Sequence, residues 1–351
     1  MAEIAFDRSH GGITGPELID FSVSINPFGP PPNAVAAYHE AAATIASYPE
    51  PYAETFTTAV ATHLGLRPAN ILAGNGSNHL LYLITRVLRP KRSFIVIPTF
   101  SEIANSLLTL PTTPQAIVLR RERRFQFDLD ALDRALTDGA DALFLCRPNS
   151  PTGTALALED AAALAKRCAA RQCWCVIDEA FIDFADVPSS AAGLVDENPW
   201  LIVTRSMTKL YAIPGLRLGY LAASGTTAGL LGRALEPWSV SGPAAAVGMA
   251  CLAQSESWRN QICTALKAER EYLQDRLGAI AGITVFRSTA NCLMFEMDRR
   301  TRERSLHRHM VERGILVRDL AALPGAGPGL FRIGVRLRGD NDRLIEAINS
   351  Y

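Results

Sequence analysis

The chain has 351 residues, of which 48% are hydrophobic and 20% charged, and its 35 basic residues balance 35 acidic ones. This composition is typical of a globular protein, and the zero net charge argues against a nucleic acid or an anionic membrane as partner. The length exceeds the roughly 250–300 residues at which a single hydrophobic core stops growing. Two unequal domains are therefore expected.

The start of the chain contains Glu3 and Asp7 and lacks the basic segment and apolar run of a secretory signal. No apolar stretch approaches the ~18 residues of a membrane span. The seven cysteines lack the spacing of a zinc finger or ribbon, so we expect reduced, buried thiols and no metal site. These features predict a cytoplasmic protein.

From about residue 53 onward, helical patterns alternate with short apolar runs of strand length, which is typical of parallel α/β units. The runs show little polar alternation, so both faces of the predicted sheet should be covered. Strands are predicted at residues 94–97, 116–119, 142–146, 174–177, 201–203 and 219–222. Helices are predicted between them at residues 78–88, 129–136 and 158–171.

The two ends of the chain show other patterns. Prolines in the stretch 26–32 predict an extended arm. The C-terminal part predicts a smaller α+β domain, with helices at residues 255–277 and 302–313 and strands at 284–286, 292–296 and 330–335. We therefore expect an arm that joins the small domain, a large domain and a small domain, over residues 1–45, 46–237 and 238–351.

The strongest chemical signal is the segment Thr204-Arg-Ser-Met-Thr-Lys209, which is followed by Arg217. An amine beside hydroxyl side chains at a strand end suits an aldehyde cofactor that carries a phosphate. Taken alone, this segment is explained equally well by a solvated surface lysine. Other segments favour the chemical interpretation.

Two of these segments lie upstream of the lysine. Ile71-Leu-Ala-Gly-Asn-Gly-Ser-Asn78 places two glycines before a helix, whose N-terminus could bind a phosphate, although such glycines also form ordinary turns. Asp178 follows an apolar strand, where ligands of open α/β sheets bind. A carboxylate there is costly without a partner, and the protonated pyridine nitrogen of pyridoxal 5′-phosphate (PLP) would be such a partner.

A further segment, Cys146-Arg-Pro-Asn-Ser-Pro-Thr-Gly153, is either a plain turn after a strand or part of the same site. With these segments in this order, the sequence resembles the PLP-dependent enzymes of the aspartate aminotransferase fold, from His10 to the C-terminal region. Within that group it is most similar to the threonine-phosphate decarboxylases of the cobalamin pathway, followed by the histidinol-phosphate aminotransferases. The stretches that carry this resemblance are His10-Gly-Gly12, Asp20-Phe-Ser-Val-Ser-Ile-Asn-Pro27, Pro98-Thr-Phe-Ser-Glu102, Asp178-Glu-Ala-Phe-Ile-Asp-Phe184 and Ser206-Met-Thr-Lys-Leu-Tyr-Ala-Ile-Pro-Gly-Leu-Arg217.

The resemblance implies an α/β protein of PLP-dependent transferase fold type I, aspartate aminotransferase-like, with a mainly parallel sheet in the large domain. It implies that Lys209 binds PLP as a Schiff base and that Asp178 pairs with the pyridine nitrogen. The remaining cofactor-binding residues that it implies are Gly76, Ser77, Asn78, Phe100, Asn149, Ser150, Phe181, Ser206, Thr208 and Arg217. Tyr48 matches a tyrosine that reaches the neighbouring subunit's cofactor, so a homodimer with shared active sites is also implied.

For the substrate, the resemblance implies that Arg332 binds a carboxylate, a role that suits its planar donors. The other implied substrate-binding residues are His10, Gly11, Ser24, Asn26, Ser150 and Arg318, of which His10, Gly11 and Arg318 match positions that contact a substrate phosphate. Arg336 and Arg338 are interpreted as solvated charges at a strand end.

The sequence departs from the family pattern at three positions. Ser150 stands where most relatives carry an asparagine that binds the 3′-oxygen of PLP, with Asn149 one position earlier. Phe181 replaces a tyrosine of many aminotransferases, as is normal in the decarboxylases, and Ser24 replaces a substrate-binding asparagine. These changes affect the expected substrate and leave Lys209 and Asp178 untouched.

The implied substrate is a small phosphorylated amino acid. The implied activity is decarboxylation of O-phospho-L-threonine to (R)-1-aminopropan-2-yl phosphate for cobalamin biosynthesis. Three alternatives stay open: an aminotransferase of the histidinol-phosphate type, a decarboxylase of a related compound such as O-phosphoserine, and a PLP-binding protein without turnover.

Overall fold

The computed structural model describes residues 4–5, 7, 10–12, 18–186, 189–297 and 305–351. Its strands are β1 (Ile19–Asp20), β2 (Ile71–Asn75), β3 (Ser93–Ile97), β4 (Gln115–Val118), β5 (Ala142–Cys146), β6 (Trp174–Asp178), β7 (Leu201–Ser206), β8 (Leu218–Ala223), β9 (Ile283–Phe286), β10 (Cys292–Met297), β11 (Ile315–Leu316), β12 (Arg318–Asp319) and β13 (Leu330–Gly334).

The α-helices are α1 (Pro32–Ala41), α2 (Glu54–Leu64), α3 (Gly76–Leu88), α4 (Ser101–Leu107), α5 (Leu129–Thr137), α6 (Leu158–Ala170), α7 (Gly225–Gly232), α8 (Gly242–Leu252), α9 (Glu256–Gly278), α10 (Leu306–Val311) and α11 (Arg338–Asn349). Short 3₁₀ helices cover Ala42–Thr44, Pro68–Asn70, Arg121–Arg123, Ile182–Phe184, Ala191–Leu194 and Pro214–Leu216. Within the described ranges, no helix combines the length and the hydropathy needed to cross a membrane.

A seven-stranded sheet forms the centre of the molecule, in the order β2-β8-β7-β6-β5-β3-β4. The five strands from β7 to β4 are parallel, while β8 is antiparallel to both of its neighbours. Successive residues of a strand point to opposite faces, so Leu143 and Leu145 enter one hydrophobic core and Phe144 enters the other. Apolar cores on both faces confirm the predicted α/β class with a mainly parallel sheet.

The C-terminal part of the chain forms a four-stranded antiparallel sheet in the order β12-β13-β10-β9. The start of the chain joins it, because β1 pairs in parallel with β11 and the Gly334 amide donates to the Phe21 carbonyl over 2.7 Å. Helix α9 begins at Ser255, whose hydroxyl accepts from the Trp258 amide as an N-cap. This arrangement brings residues near both chain ends to the edge of the central sheet.

The sequence located β3 to β10, β13, α3, α5, α6 and α9 within three residues, and it provided no bounds for β1, β11, β12, α1, α2, α4, α7, α8 and α11. It missed β2 as a strand because the apolar run at residues 71–73 is short and two glycines follow it, and glycine favours a turn interpretation. Helix α10 covers the middle of the predicted helix 302–313, of which residues 302–304 lie outside the described residues.

The N-terminal arm contains an element that the sequence did not predict. Prolines at positions 30–32 end the extended stretch, and α1 begins at Pro32, where the missing N–H of proline costs nothing.

Helix α8 packs closely over the central sheet, since a Cβ at Gly248 would lie 2.4 Å from a methyl of Leu218 and 2.6 Å from the ring of Phe56. The domain boundaries at residues 45 and 237 stay a prediction.

Candidate active site

A cavity of about 390 Å³ opens where β6 and β7 end. Its walls come from the central sheet, from the four-stranded sheet and from the start of the chain. The lining residues are His10, Gly11, Ser22, Val23, Ser24, Ser77, Asn78, Phe100, Glu102, Ser150, Asp178, Ala180, Phe181, Ser206, Thr208, Lys209, Arg217 and Arg332. Most of the residues singled out from the sequence therefore meet in one place.

Lys209 lies three residues after the end of β7, on the connection to β8. Burial, together with the charges of Arg332 and Arg217, lowers the pKa of its ammonium group to about 8. Its Nζ atom lies 5.8 Å from the centre of the Phe181 ring. An amine that loses its proton near neutral pH is suited to act as a nucleophile or a base.

Asp178 is the last residue of β6 and is 2% exposed. Its Oδ1 accepts from the Thr204 hydroxyl over 2.9 Å, and the Cys146 thiol lies 3.8 Å from its Oδ2. Burial raises the pKa of this carboxyl to about 6. Both neighbours are neutral, so the site leaves room for a cationic partner of the carboxylate.

The start of helix α3 faces Arg217 across a narrow gap. Gly76 has a φ of 79°, and a Cβ there would lie 2.6 Å from Nη2 of Arg217. The buried Oδ1 of Asn78 has no hydrogen-bond partner within the described residues. On the other side, the Ser206 and Thr208 hydroxyls are 2.8 Å apart. Hydroxyls, a guanidinium and a helix N-terminus are the donors that bind phosphate in proteins.

The two arginines predicted to bind substrate lie side by side on the four-stranded sheet. Arg318 of β12 and Arg332 of β13 are register partners, so both side chains emerge on the same face. Nη1 of Arg332 donates to the Ser150 hydroxyl over 3.0 Å, and Nη2 donates to the Ser22 carbonyl. Burial lowers the pKa of Arg332, as does the charge of Arg318.

A second cavity, of about 80 Å³, adjoins the first. It shares His10, Ser150 and Arg332 with the larger cavity and adds Arg318. Nη2 of Arg318 lies 3.4 Å from Oδ2 of Asp7. The substrate-facing part of the site therefore extends past Arg332 toward Arg318.

Besides Gly76 and Arg318, three predicted site residues do not line the large cavity: Asn26, Asn149 and Tyr48. The Asn26 side chain is buried, and its polar atoms are used in hydrogen bonds within the fold. It donates to the Leu210 carbonyl and accepts from the Phe28 amide. The Asn149 amide group donates to the Pro98 carbonyl over 2.8 Å and to the Thr152 hydroxyl over 2.9 Å. Both asparagines thus hold backbone segments next to the site, and the buried Oδ1 of Asn149 has no hydrogen-bond partner within the described residues.

Tyr48 is the third of these residues, with a side chain 86% exposed and a ring centre 5.1 Å from that of Trp238. The two arginines interpreted as strand-end charges also lie away from the cavity. Arg336 pairs with Asp340 at 2.8 Å, and Arg338 pairs with Glu269 at 2.9 Å.

Sequence reasoning missed several lining residues. Glu102 belongs to one of the stretches that carry the family resemblance, but the sequence assigned no role to it. Its buried carboxylate faces the cavity. Thr204 was also quoted, and its hydroxyl holds Asp178. Ser22 and Val23 stand in the quoted stretch 20–27, where nothing in the sequence distinguishes a cavity-lining backbone from its neighbours.

The residues present fit PLP. Asp178 offers a buried anion for the pyridine nitrogen. Arg217 and the Ser206 and Thr208 hydroxyls offer donors for the phosphate, a Cβ at Gly76 would approach Arg217 to 2.6 Å, and Lys209 supplies the amine. The described residues contain no group of three or more His, Cys, Asp and Glu side chains that could hold a metal ion. The fold and the site together define a PLP-dependent enzyme.

Comparison with known proteins gives the family. The model of aminotransferase class I and II matches residues 16–348, and the chain belongs to that family. The threonine-phosphate decarboxylase of Salmonella typhimurium is 33% identical over 98% of this chain and 97% of its own length. A histidinol-phosphate aminotransferase of an Anaeromyxobacter species is 30% identical over 92% of this chain and 88% of its own length.

A solved structure shares the fold. The histidinol-phosphate aminotransferase of Sinorhizobium meliloti, in complex with pyridoxal 5′-phosphate, superposes with a TM-score of 0.82 at 22% identity, covering 93% of this chain and 89% of that one. The resemblance noted in the sequence, the fold class and PLP as cofactor are thereby confirmed. The relatives include both a decarboxylase and aminotransferases.

Proposed function

We propose that this enzyme decarboxylates O-phospho-L-threonine to (R)-1-aminopropan-2-yl phosphate, the cobalamin-pathway reaction that the resemblance implies. The observation that carries the proposal is the pair Arg318 and Arg332, placed at one register position on adjacent strands. Like charges directly opposite on a sheet are destabilising. Asp7 lies 3.4 Å from Arg318, whereas Arg332 donates to the neutral Ser150 hydroxyl and Ser22 carbonyl. A substrate carboxylate would therefore offset the charge of Arg332.

The two arginines suit different ends of such a substrate. Arg332 lines the large cavity together with Lys209, so a carboxylate bound there stays near the reacting amine. Arg318 lines the adjoining smaller cavity with His10 and suits the phosphate. Charge-assisted hydrogen bonds from a planar guanidinium hold a carboxylate in a fixed orientation.

Bound PLP would supply an electron sink for the pair left when a bond at the α-carbon is broken. Arg332 would select the carboxylate bond for cleavage by fixing where that group lies. Lys209, whose pKa is about 8, would hold the proton that replaces the lost carboxylate at the α-carbon. Asp178 would stay ionised once a cation lies against it, because an opposite charge offsets the cost of burial.

The second candidate is an aminotransferase that acts on histidinol phosphate. It is favoured by the 30% identity to the Anaeromyxobacter aminotransferase. Histidinol phosphate carries a phosphate and no carboxylate, so it would leave the charge of Arg332 without the carboxylate that is proposed to offset it. This difference favours the decarboxylase.

A homodimer and a cytoplasmic location, both expected from the sequence, belong to the proposal. Several large apolar side chains on and near α1 are exposed: Val35, Tyr38, Ile45, Tyr48, Tyr52 and Trp238. Exposed apolar clusters mark interaction surfaces, and Tyr48 lies among them. Sedimentation should give twice the chain mass, and Tyr48→Phe should weaken PLP binding severalfold without dissociating the dimer. A monomer that retains full activity would contradict shared active sites.

The deciding experiment supplies the PLP-loaded enzyme with O-phospho-L-threonine, and separately with histidinol phosphate plus 2-oxoglutarate. Release of carbon dioxide from the first substrate supports the decarboxylase, and O-phospho-L-serine should react more slowly. Glutamate from the second mixture, without carbon dioxide from the first, would replace the decarboxylase by the aminotransferase.

A further inference from the structure

Glu102 places a buried carboxylate in the wall of the cavity, at the end where an anionic substrate is proposed to bind. Its side chain is 9% exposed, and α4 carries it beside Phe100 and His10. A carboxylate at this position repels an anion unless a cation offsets its charge. Its contacts show which cation that is.

Two of the contacts come from neutral donors. The Tyr82 hydroxyl donates to Oε2 over 2.9 Å, and the Asn105 amide donates to Oε1 over 2.7 Å. The third is His10, whose Nε2 lies 3.3 Å from Oε1. At this distance Oε1 of Glu102 attracts a hydrogen carried by Nε2. The contact therefore directs Nε2 toward Glu102 and leaves Nδ1 for a ligand.

Helix α4, which carries Glu102, also holds the backbone at Asp7, on the N-terminal side of His10. The Asp7 amide donates to Oδ1 of Asn105 over 3.1 Å, and the Asp7 carbonyl accepts from Nδ2 of Asn105 over 2.7 Å. Since Nδ2 also donates to Glu102, one asparagine connects the backbone of the N-terminal segment to the carboxylate. Helix α4 thereby positions both the backbone near His10 and its ring.

We propose that Glu102 is a positioning residue for the substrate phosphate and acts through His10. It holds the imidazole over the cavity so that Nδ1 contacts the phosphate, to which a ring with hydrogens on both nitrogens donates. The inference rests on the proposed function only in requiring a phosphorylated substrate. O-Phospho-L-threonine and histidinol phosphate both satisfy that requirement.

The test is a double-mutant cycle in the PLP-loaded enzyme with His10→Ala, Glu102→Gln and the double variant. Inorganic phosphate is the probe, and its binding is followed by ³¹P NMR titration without turnover. Each single variant should weaken phosphate binding about tenfold, which is in the range of one charge-assisted hydrogen bond. The double variant should bind no more weakly than either single one, because both changes remove the same contact.

Tyr82→Phe is the matched control, because it removes a donor from the other oxygen of Glu102 and leaves His10 in place. It should keep phosphate binding within about twofold of wild type. In steady state, Glu102→Gln should raise KM for the phosphorylated substrate and leave kcat nearly unchanged. Tighter or unaltered phosphate binding in Glu102→Gln, or losses that multiply in the double variant, would overturn the inference. Since phosphate binding is measured without a reaction, this outcome is separable from failure of the decarboxylase assay.

Discussion

The cofactor half and the substrate half of the cavity are built in different ways. Lys209, Asp178 and Arg217 follow or precede strands of the central sheet, which is buried on both faces. The substrate half combines His10 and Ser24 from the start of the chain with Arg318 and Arg332 from the small antiparallel sheet. The first half depends on neighbouring strands of one sheet, and the second on contacts between distant parts of the chain.

We therefore expect the cofactor half to determine the reaction and the substrate half to determine which substrate binds. In the proposed function, Lys209, Asp178 and Arg217 serve any amine that PLP can bind, and none of the three departures from the family falls on them. The departures from the family at Ser24 and Ser150 both line the cavity on the substrate side. Variants should therefore have general effects in the cofactor half and substrate-dependent effects in the other half.

Lys209→Ala should have the largest effect. Turnover should fall by ~1,000-fold or more for every substrate, because both the nucleophile and the proton donor are lost. The absorbance of the lysine-bound cofactor should disappear, while the circular dichroism spectrum stays that of wild type. Lys166→Ala, an exposed change on α6, is the control and should behave as wild type. Undiminished turnover of Lys209→Ala would reject the assignment of the whole site.

The cofactor half could be predicted from sequence because its signals are local. The segments 71–78, 174–178 and 204–217 each combine an apolar strand with the functional residues directly before or after it. Parallel strands place their carboxyl ends at one edge of the sheet, so residues far apart in sequence are brought together by a regular pattern. The antiparallel direction of β8 was not predictable, since a single apolar run carries no direction.

Asp178→Asn should reduce turnover by about 100-fold, because a neutral amide does not supply the charge that pairs with a protonated pyridine nitrogen. The stability of the PLP-free protein should change in the opposite direction to turnover and should increase in the variant. The folded pKa of Asp178 is about 6, above the ordinary 3.8, so wild type loses stability as pH rises from about 4 through about 6.

Asp178→Asn removes that loss. The variant apoprotein should have a free energy of unfolding higher than wild type by on the order of 2–3 kcal/mol at pH 8, with the difference vanishing near pH 4. Urea unfolding of both apoproteins at the two pH values measures it. A difference that does not depend on pH would show that Asp178 is not destabilised by its burial.

Arg332→Ala should discriminate between substrates. Removing the guanidinium should weaken use of a carboxylated substrate by about 10–100-fold, since each charge-assisted hydrogen bond contributes roughly 1.5–3 kcal/mol. The effect on histidinol phosphate should be much smaller. Arg308→Gln, an exposed change on α10 at a residue that lies 3.2 Å from Glu312, is the control and should leave both substrates unaffected. Equal losses of activity for both substrates would show that Arg332 has a structural role and does not bind the substrate carboxylate.

The substrate half was less predictable because its geometry depends on long-range packing. Arg318 and Arg332 were identified by family resemblance, but their direct opposition follows from the β12–β13 register, which the sequence does not specify. Asn26 and Asn149 carry the residue type of a polar contact, yet their amides satisfy nearby backbone groups. Glu102 acts through residues that lie close only after folding, so no sequence spacing could reveal it.

Ser150→Asn should have the smallest effect, and it tests where the two halves meet. The Ser150 hydroxyl accepts from Arg332, so its own hydrogen remains available to the 3′-oxygen of PLP. An asparagine amide would donate to that oxygen more strongly and stabilise its anionic form. The absorbance of the lysine-bound cofactor should then titrate at a lower pH than in wild type, by less than about one unit. Ser24→Asn, which restores the other family asparagine on the substrate side, should leave this titration unchanged and alter KM. Identical titration curves for wild type and Ser150→Asn would remove Ser150 from contact with the cofactor and leave it to the substrate half alone.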